Sequence, residues 1–343
     1  MKKLVLATAV AALSITAAQA APTVYGKAFL TVDANNTDTT YKSGIVQTKE
    51  DTNTSGLNSN SSRIGLKGSE ALTADIDVVY QLEYGVAIDN GAAKQFTSRD
   101  TYLGLAHKEY GTLLAGRLTA IDDNVDFASA LEGNNVADIG PTFNAPRANN
   151  AFAYVSPEYN GAQFLAMYAF DSDTDEGGIA DKDQYGIGAT YSTGPINAGA
   201  SYIAYGKNNH LRLSGNYAVS PALTAGALYQ ISKFETPNSK KENTLIVSGE
   251  MKTATPWTAY GQATLIKNVA GNDGDESVGV GIGGKYAFNK ATTGHIYTGY
   301  VNSERKNATY EGSNETYKNA HKDTKFDYKN SGFGVGAGLE YKF

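Results

Sequence analysis

The residues with the clearest capacity for chemistry are three arginines, Arg63, Arg99 and Arg147, each of which follows a long polar segment. A guanidinium group keeps its positive charge at any relevant pH. Each arginine also stands about seven to ten residues before the next short turn, so the three are expected at similar heights on one surface. The three arginines therefore indicate an electrostatic role, in which they place a fixed positive charge on one side of the folded protein.

An acidic segment, residues 119–147, lies between the second and third of these arginines. At 29 residues it is too long for a hairpin turn, and such loops are usually functional or disordered. Its acidic residues are Asp122, Asp123, Asp126, Glu132 and Asp138. They have three interpretations: a solvated acidic loop, a loop held in place by pairing with the arginines, or a loop whose charge opposes the arginines across a gap. The last arrangement produces a transverse electric field, which low-dielectric walls focus.

Other motifs indicate neither catalysis nor metal binding. Residues 279–284 match G-x-G-x-x-G, but a dinucleotide site needs a following helix, whereas this segment continues as a strand. The motif is better explained as small residues on the inner face of the β-barrel that the strand pattern below predicts. The histidines have no partner at metal-ligand spacing, and no nucleophile elbow or ordered triad is present. We therefore expect no metal, no cofactor and no enzymatic activity.

The elements that position these charges are strands with alternating residue types. In the terminal stretch "SGFGVGAGLEYKF" one face is wholly apolar and the other is glycine followed by charge. This period of two predicts a strand. We identify sixteen such segments, at roughly 22–33, 60–70, 74–87, 98–108, 111–118, 148–157, 162–170, 182–193, 195–205, 210–219, 222–233, 242–253, 256–268, 275–287, 291–303 and 332–343.

The connections between these segments alternate between short turns and long polar loops. An even number of strands with this alternation is typical of a transmembrane barrel. Lipid offers no hydrogen bonds to the backbone, so a sheet that spans a membrane must close on itself. About sixteen strands enclose an aqueous channel. The sequence therefore predicts an all-β fold, a 16-stranded antiparallel transmembrane β-barrel, with apolar residues facing lipid and polar residues facing the lumen.

The N-terminus has the features of a secretory signal peptide, residues 1–20. Lys2 and Lys3 precede an apolar core, and Ala18-Gln19-Ala20 forms a cleavage signal. The core is short for the alternative, a membrane anchor.

Removing the two lysines of the signal peptide lowers the basic count from 29 to 27 against 35 acidic residues, a formal charge of −8. This charge argues against nucleic acid as a partner, and residues 21–343 are predicted to form one barrel domain.

Tyrosines fall near the strand ends, where a barrel would meet the lipid headgroups. They include Tyr25, Tyr84, Tyr102, Tyr191, Tyr205, Tyr217 and Tyr341. Aromatic rings with a polar tip favour this zone. Tyrosine also simply suits strands, so this pattern has two interpretations.

Five stretches of the chain carry a resemblance to a known family: "VYGKAFLTVD", "SRIGLKGSEALTADIDVVYQLEYG", "SRDTYLGLAHKEYGTLLAGRL", "YVSPEYNGAQFLAMYAF" and the terminal "GLEYKF". They resemble Gram-negative general diffusion porins. The resemblance implies a homotrimer in the outer membrane, with the third external loop, here 119–147, folded into each lumen. It also implies that Phe343 belongs to the signal read by the outer-membrane assembly machinery.

The same resemblance assigns residues to a constriction. Arg63, Arg99 and Arg147 match the family's basic cluster through "SRIGL", "SRDTYLGL" and "PRANNAF". Glu132 is the best counterpart of the family's loop acids, whereas Asp122, Asp123 and Asp126 match it only as a group. The expected function is passive diffusion of ions and small hydrophilic solutes. The alternatives are a substrate-specific channel, for sugars or acidic solutes, and an adhesin or structural barrel with a blocked lumen.

Overall fold

A computed structural model describes residues 21–90, 95–170, 183–236, 239–308, 318 and 324–343. The proposed signal peptide, residues 1–20, lies outside the described residues. So do all of the long polar connection expected at 171–181 and parts of those expected at 88–97 and 304–331. Among the described residues, no helix has both the length and the apolar character needed to cross a membrane.

Seventeen strands are present in the described part of the chain, with one four-residue helix, α1 (Ile121–Asn124), between β6 and β7. The strands are β1 (Thr23–Ser43), β2 (Val46–Ser59), β3 (Arg63–Ala71), β4 (Ile76–Val86), β5 (Phe96–His107), β6 (Gly111–Leu118), β7 (Ala148–Val155), β8 (Ala162–Ala169), β9 (Gln184–Thr193), β10 (Ile196–Tyr205), β11 (Asn208–Ala218), β12 (Leu223–Lys233), β13 (Glu242–Lys252), β14 (Trp257–Lys267), β15 (Glu276–Ala287), β16 (Thr292–Ala308) and β17 (Phe326–Lys342). A short 3₁₀ turn, Val269–Gly271, separates β14 from β15.

Neighbouring strands pair antiparallel around the whole sheet, and β17 returns to pair with β1. The pairing continues through β9 to β17 in chain order. Both β2 and β3 pair with β1, so together they occupy one position in the wall. The described strands therefore form a closed barrel with sixteen positions, which confirms the predicted fold.

The two faces of the wall differ as the alternation predicts. On β17, Val335 and Leu339 are 45% and 53% exposed on the outside, whereas Glu340 on the inner face is 7% exposed. Large apolar side chains are exposed on the outside of the barrel because lipid, rather than protein, covers this surface. Tyrosine follows the predicted interface position only in part, since Tyr25, Tyr102 and Tyr205 turn inward.

One sector of the inner face is apolar, which the predicted polar lining did not include. Leu114, Val155, Leu165 and Met167 are buried in a cluster on the inner faces of β6, β7 and β8. Ile121 from the segment that follows β6 belongs to the same cluster. This sector is apolar because a loop inside the barrel starts there and removes the wall from water.

The first long loop predicted from the sequence, residues 34–59, is instead mostly strand. β1 continues to Ser43, turns at Gly44 and returns as β2, and the upper half of β1 also pairs with β17. Polar residues occupy both faces of this hairpin, so it lacks the apolar alternation by which the other strands were recognised.

Candidate functional site

The site is the space between the inner wall and the segment 119–147, which lies inside the barrel. The backbone N–H of Phe127 donates to Ser214 Oγ on β11 (2.8 Å), and that of Ala130 donates to Gln262 Oε1 on β14 (2.8 Å). Further along, the N–H of Asn134 donates to the Tyr297 hydroxyl on β16 (2.9 Å). The segment therefore crosses the lumen against half of the wall.

The returning part of the segment is held from the same side. The N–H of Thr142 donates to Glu242 Oε1 on β13 (2.9 Å), and Gln230 Nε2 on β12 donates to the carbonyl of Phe143 (2.7 Å). Paired backbone groups make an irregular segment stable inside a barrel, since unpaired ones carry a desolvation cost. We call residues 119–147 the lumen loop.

The deepest anchor of the lumen loop is an ionic cluster on β11. Asp122 is fully buried, with its Oδ2 3.3 Å from His210 Nε2 and 3.5 Å from Arg212 Nη2. Arg212 Nη1 also donates to the carbonyl of Asp122 (2.9 Å), and its Nη2 donates to Asn144 Oδ1 (2.7 Å). Burial alone would raise the pKa of Asp122, but His210 and Arg212 outweigh it and hold the pKa below its usual range.

Inward glycines give the lumen loop room to approach the wall. A Cβ on Gly279 would come within 2.8 Å of the carbonyl oxygen of Ala137, and one on Gly281 within 2.9 Å of Leu131. Both contacts are closer than real side-chain atoms make. The glycine motif at 279–284 is therefore a groove for the loop, in agreement with the interpretation as small inward residues.

Two of the three wall arginines share one carboxylate. Glu83 on β4 is 4% exposed, and its oxygens lie 2.5 Å from Arg99 Nε and 3.6 Å from Arg63 Nε. The Tyr25 hydroxyl donates to the same group (3.0 Å). Two permanent cations on one anion leave a net positive charge at this place in the wall.

A β-bulge brings Arg99 into this cluster. The register of β4 and β5 shifts between Leu82 and Tyr84, so that Arg99 and Asp100 together oppose Glu83. The extra residue allows Arg99 to point inward although Leu103, four residues later, is exposed on the outside.

Arg147 joins the same part of the wall through a different carboxylate. Its Nε lies 3.0 Å from Asp100 Oδ1, and Thr119 Oγ1 donates to the same oxygen (2.6 Å). Asp100 therefore holds both ends of the lumen loop. The structure brings the three sequence-predicted arginines together, and their ion-pair partners in the described residues are the wall acids Glu83 and Asp100.

The predicted loop acids separate into different environments. Asp122 belongs to the buried anchor, and Asp126 accepts hydrogen bonds from the backbone of Ala128 and from Ser129, as in a local turn. Glu132 is partly exposed and lies 3.3 Å from Lys285 Nζ on β15. Pairing of the loop acids with the arginines was one of the three interpretations of this segment, and the described ion pairs of Arg63, Arg99 and Arg147 are with wall acids instead.

Asp123 is the loop acid next to the anchor that remains accessible to solvent, although many protein atoms surround it. Burial by those atoms, together with the charge of Asp122, raises the pKa of Asp123 to about 6. Arg212 and Arg147 act in the opposite direction. Asp123 therefore lies within electrostatic reach of the basic wall and can change charge near neutral pH.

Lysines backed by aromatic rings extend the basic wall, and sequence reasoning missed them. Lys27 Nζ lies 5.2 Å from the centre of the Phe29 ring, and Lys67 Nζ lies 5.3 Å from that of Tyr25. Lys27 stands directly across from Arg63 in the sheet. The inward parity of β1 and β3 was a sequence signal that would have found both.

Phe343 lies at the seam where the barrel closes. Its N–H and carbonyl pair with the backbone of Gly26 (3.2 and 2.9 Å), and its ring rests on the outer face of this glycine. The side chain is 54% exposed. The terminal residue therefore completes the pairing of the last strand with the first and leaves its ring on the lipid side.

Comparison with known proteins agrees with this architecture. The Gram-negative porin family profile matches residues 6–308. An outer membrane porin of Bordetella pertussis is 32% identical over 168 residues, which are 44% of this chain and 44% of that protein. The major outer membrane protein of Pasteurella multocida is 29% identical over 206 residues, 56% of this chain and 55% of that protein. The chain spans about half the length of these curated relatives.

Solved structures match over nearly the whole barrel. The anion-selective porin of Comamonas acidovorans has a TM-score of 0.70 at 19% identity, covering 94% of this chain and 99% of that one. OmpF of Salmonella typhi has a TM-score of 0.64 at 17% identity, covering 94% and 97%. At these identities the similarity establishes the fold. Together, the profile match and the closed barrel place this chain in the outer membrane as a member of the Gram-negative porin family.

Proposed function

We propose that the chain forms a water-filled channel for passive diffusion of ions and small hydrophilic solutes. The observation that supports this function best is the lumen loop, which runs inside a closed barrel and is hydrogen-bonded to its wall. Pore width and rings of fixed charge determine which solutes pass through such a channel.

Selectivity in this proposal comes from unequal charge across the narrowed lumen. Arg63 and Arg99 share one carboxylate, which leaves one side of the lumen positive. On the loop side, Asp123 is exposed and Glu132 partly so. Opposed charges of this kind orient dipolar solutes and separate the paths of cations and anions.

Planar-bilayer recording with a salt gradient tests the proposal. We expect stepwise increases in current as single channels insert, and a reversal potential that differs from zero. Current that saturates with one solute class would instead identify a substrate-specific channel for sugars or acidic solutes. Absence of current from correctly folded protein would contradict a diffusion channel and favour an adhesin or structural barrel.

We also propose that the barrel assembles as a homotrimer. Support comes from OmpT of Vibrio cholerae, an outer membrane protein whose structure in a trimer form matches this chain with a TM-score of 0.62. Light scattering of the detergent-solubilised protein tests this proposal. Three chains per particle are expected, whereas a single chain at all concentrations would refute the trimer.

The position of Phe343 supports a role in assembly by the outer-membrane machinery. Phe343→Ala should lower the amount of folded barrel in the outer membrane, because the ring at the closing seam is lost. The measurement is the heat-modifiable fraction in membrane extracts, with Phe288→Ala as a matched exposed-phenylalanine control. Phe288 lies just after β15, at the short-turn end. Equal folded amounts for the two variants would remove the assembly role.

Asp123 makes the selectivity depend on pH. With a pKa of about 6, its carboxylate is charged above that value and becomes neutral as the pH falls through it. The lumen then loses one negative charge, so cation preference should decrease between pH 7 and pH 5. Reversal potentials measured across this range provide the test. If Asp123→Asn shows the same change in reversal potential between pH 7 and pH 5, another group is responsible for the titration.

A further inference from the structure

The tip of the lumen loop lies beside a second cluster of charged side chains, centred on Lys285 of β15. The Nζ atom of Lys285 lies 3.3 Å from Glu132 Oε1 on the loop and 3.5 Å from Glu250 Oε2 on β13. It also lies 5.0 Å from the centre of the Tyr260 ring on β14, and the face of an aromatic ring attracts a cation. One ammonium group therefore bridges the loop and the wall, and two carboxylates share it.

Strand parity places the wall members of this cluster on the inner face of the barrel. Met251, next to Glu250, is 50% exposed on the outside, so Glu250 points inward. Lys285 has the parity of Gly281, which contacts the lumen loop, whereas Ile282 is 59% exposed on the outside. The three charged side chains are 15–22% exposed, so each of them reaches the water of the lumen.

Uncharged contacts also fix the loop tip at this place. The backbone N–H of Ala130 donates to Gln262 Oε1 (2.8 Å), and Leu131 and Tyr260 belong to one buried apolar cluster. Glu132 directly follows these two loop residues. Removing the ammonium group beside Glu132 should therefore change the charge of the lumen more than it changes the path of the loop.

This cluster resembles the basic wall with the opposite sign. Two arginines share Glu83, which leaves a net positive charge, whereas two carboxylates share Lys285, which leaves a net negative charge. Seven strand pairings separate β4, which carries Glu83, from β13, which carries Glu250. Because the barrel has sixteen positions, these two strands stand on nearly opposite sides of the lumen.

We infer that Lys285 and Glu250 determine the ion preference of the channel together with Glu132. Glu250 supplies a negative charge from the wall opposite the arginines. Lys285 cancels one of the two carboxylates and holds Glu132 beside the wall. The inference rests on the proposed channel function, because it assigns residues that set the selectivity of that channel.

Reversal potential in a potassium chloride gradient tests the inference on the full-length protein. Lys285→Met should raise the cation-to-anion permeability ratio at least about fourfold, because a unit charge about 5 Å from a passing ion changes its local concentration by roughly that factor. Glu250→Gln should lower the ratio by a similar factor. Lys285→Met/Glu250→Gln has the native net charge, so its reversal potential should return to the native value.

Two single variants serve as controls. Lys285→Arg keeps the positive charge and should keep the native reversal potential, although the shape of the side chain changes. Lys207→Met removes a lysine that also pairs with a carboxylate, Glu235 at 3.2 Å, but is exposed at the turn between β10 and β11. This variant should leave the reversal potential unchanged.

Three results would each overturn the inference: an unchanged ratio in Lys285→Met, a double variant that keeps the full shift of Lys285→Met, and an equal shift in Lys207→Met. If Lys285→Met does not fold, Glu250→Gln alone decides, since a ratio that fails to decrease contradicts the role of Glu250. All these results come from conducting channels and leave the diffusion function intact. Only absence of current from the native protein would contradict that function.

Discussion

Replacing Arg63 and Arg99 by glutamine should shift the reversal potential of the channel toward cation preference. One unit charge about 5 Å from a passing ion changes its energy by roughly 0.8 kcal/mol in water, a factor of about four in local concentration. Loss of the two positive charges raises the local concentration of cations and lowers that of anions. The cation-to-anion permeability ratio should therefore increase by at least a factor of about four. Reversal potential in a potassium chloride gradient is the measurement.

The carboxylate shared by the two arginines allows an experiment with the opposite sign. Glu83→Gln removes the anion and keeps both cations, so it should move the reversal potential toward anions. Arg305→Gln is the matched control, since Arg305 is exposed on β16 and stacks on Tyr328 at 5.5 Å. Selectivity that stays the same in the Arg63 and Arg99 variant, or that moves equally in the Arg305 control, would refute the role of the basic wall.

Replacing Arg212 by methionine should release the lumen loop from β11. The change leaves Asp122 as a buried carboxylate with His210 and the backbone N–H of Ala145 beside it, and it removes the hydrogen bond to Asn144. Breaking a buried ion pair from one side typically costs about 3–5 kcal/mol. The strands remain intact, so the barrel should persist with a wider passage. Higher single-channel conductance and entry of larger sugars in liposome swelling are the expected results.

A double variant separates loss of the anchor from general damage. Asp122→Asn/Arg212→Met removes both charges, so no uncompensated ion stays buried and the effect should be milder than that of Arg212→Met alone. Unchanged conductance in Arg212→Met would show that the loop does not depend on this cluster. A double variant that is more open than the single one would contradict the ionic origin of the anchor.

The fold could be predicted from sequence because lipid imposes one rule on every strand. Phe333, Val335 and Leu339 face outward as their alternation indicates. The hairpin at residues 34–59 did not follow this rule, because water contacts both of its faces and the pattern that marks a membrane strand is missing. The apolar inner sector around Leu114 was equally hidden, since the alternation does not show that the ends of the lumen loop, at Ile121 and Ala145, pack against it.

The sequence predicted which charged residues belong to the candidate site, but it predicted few of the contacts between them. Arg63 could be assigned to the lumen by parity alone. Arg99 could not, since its orientation depends on a bulge that exists only in the pairing of β4 with β5. The partners Glu83 and Asp100 and the anchor at Arg212 come from separate strands, and the spacing of residues along the chain contains no information on such neighbours.

The sequence by itself determined the closed sheet, its two faces and the presence of a loop too long for a turn, because strand period and loop length are local properties. Only the tertiary structure decided which acid lies beside which base. Asp122 became a buried anchor and Asp123 an accessible acid although they are adjacent in the chain. The physical reason is that an ion pair depends on distances of a few ångströms, which closure of the barrel and the path of the loop establish together.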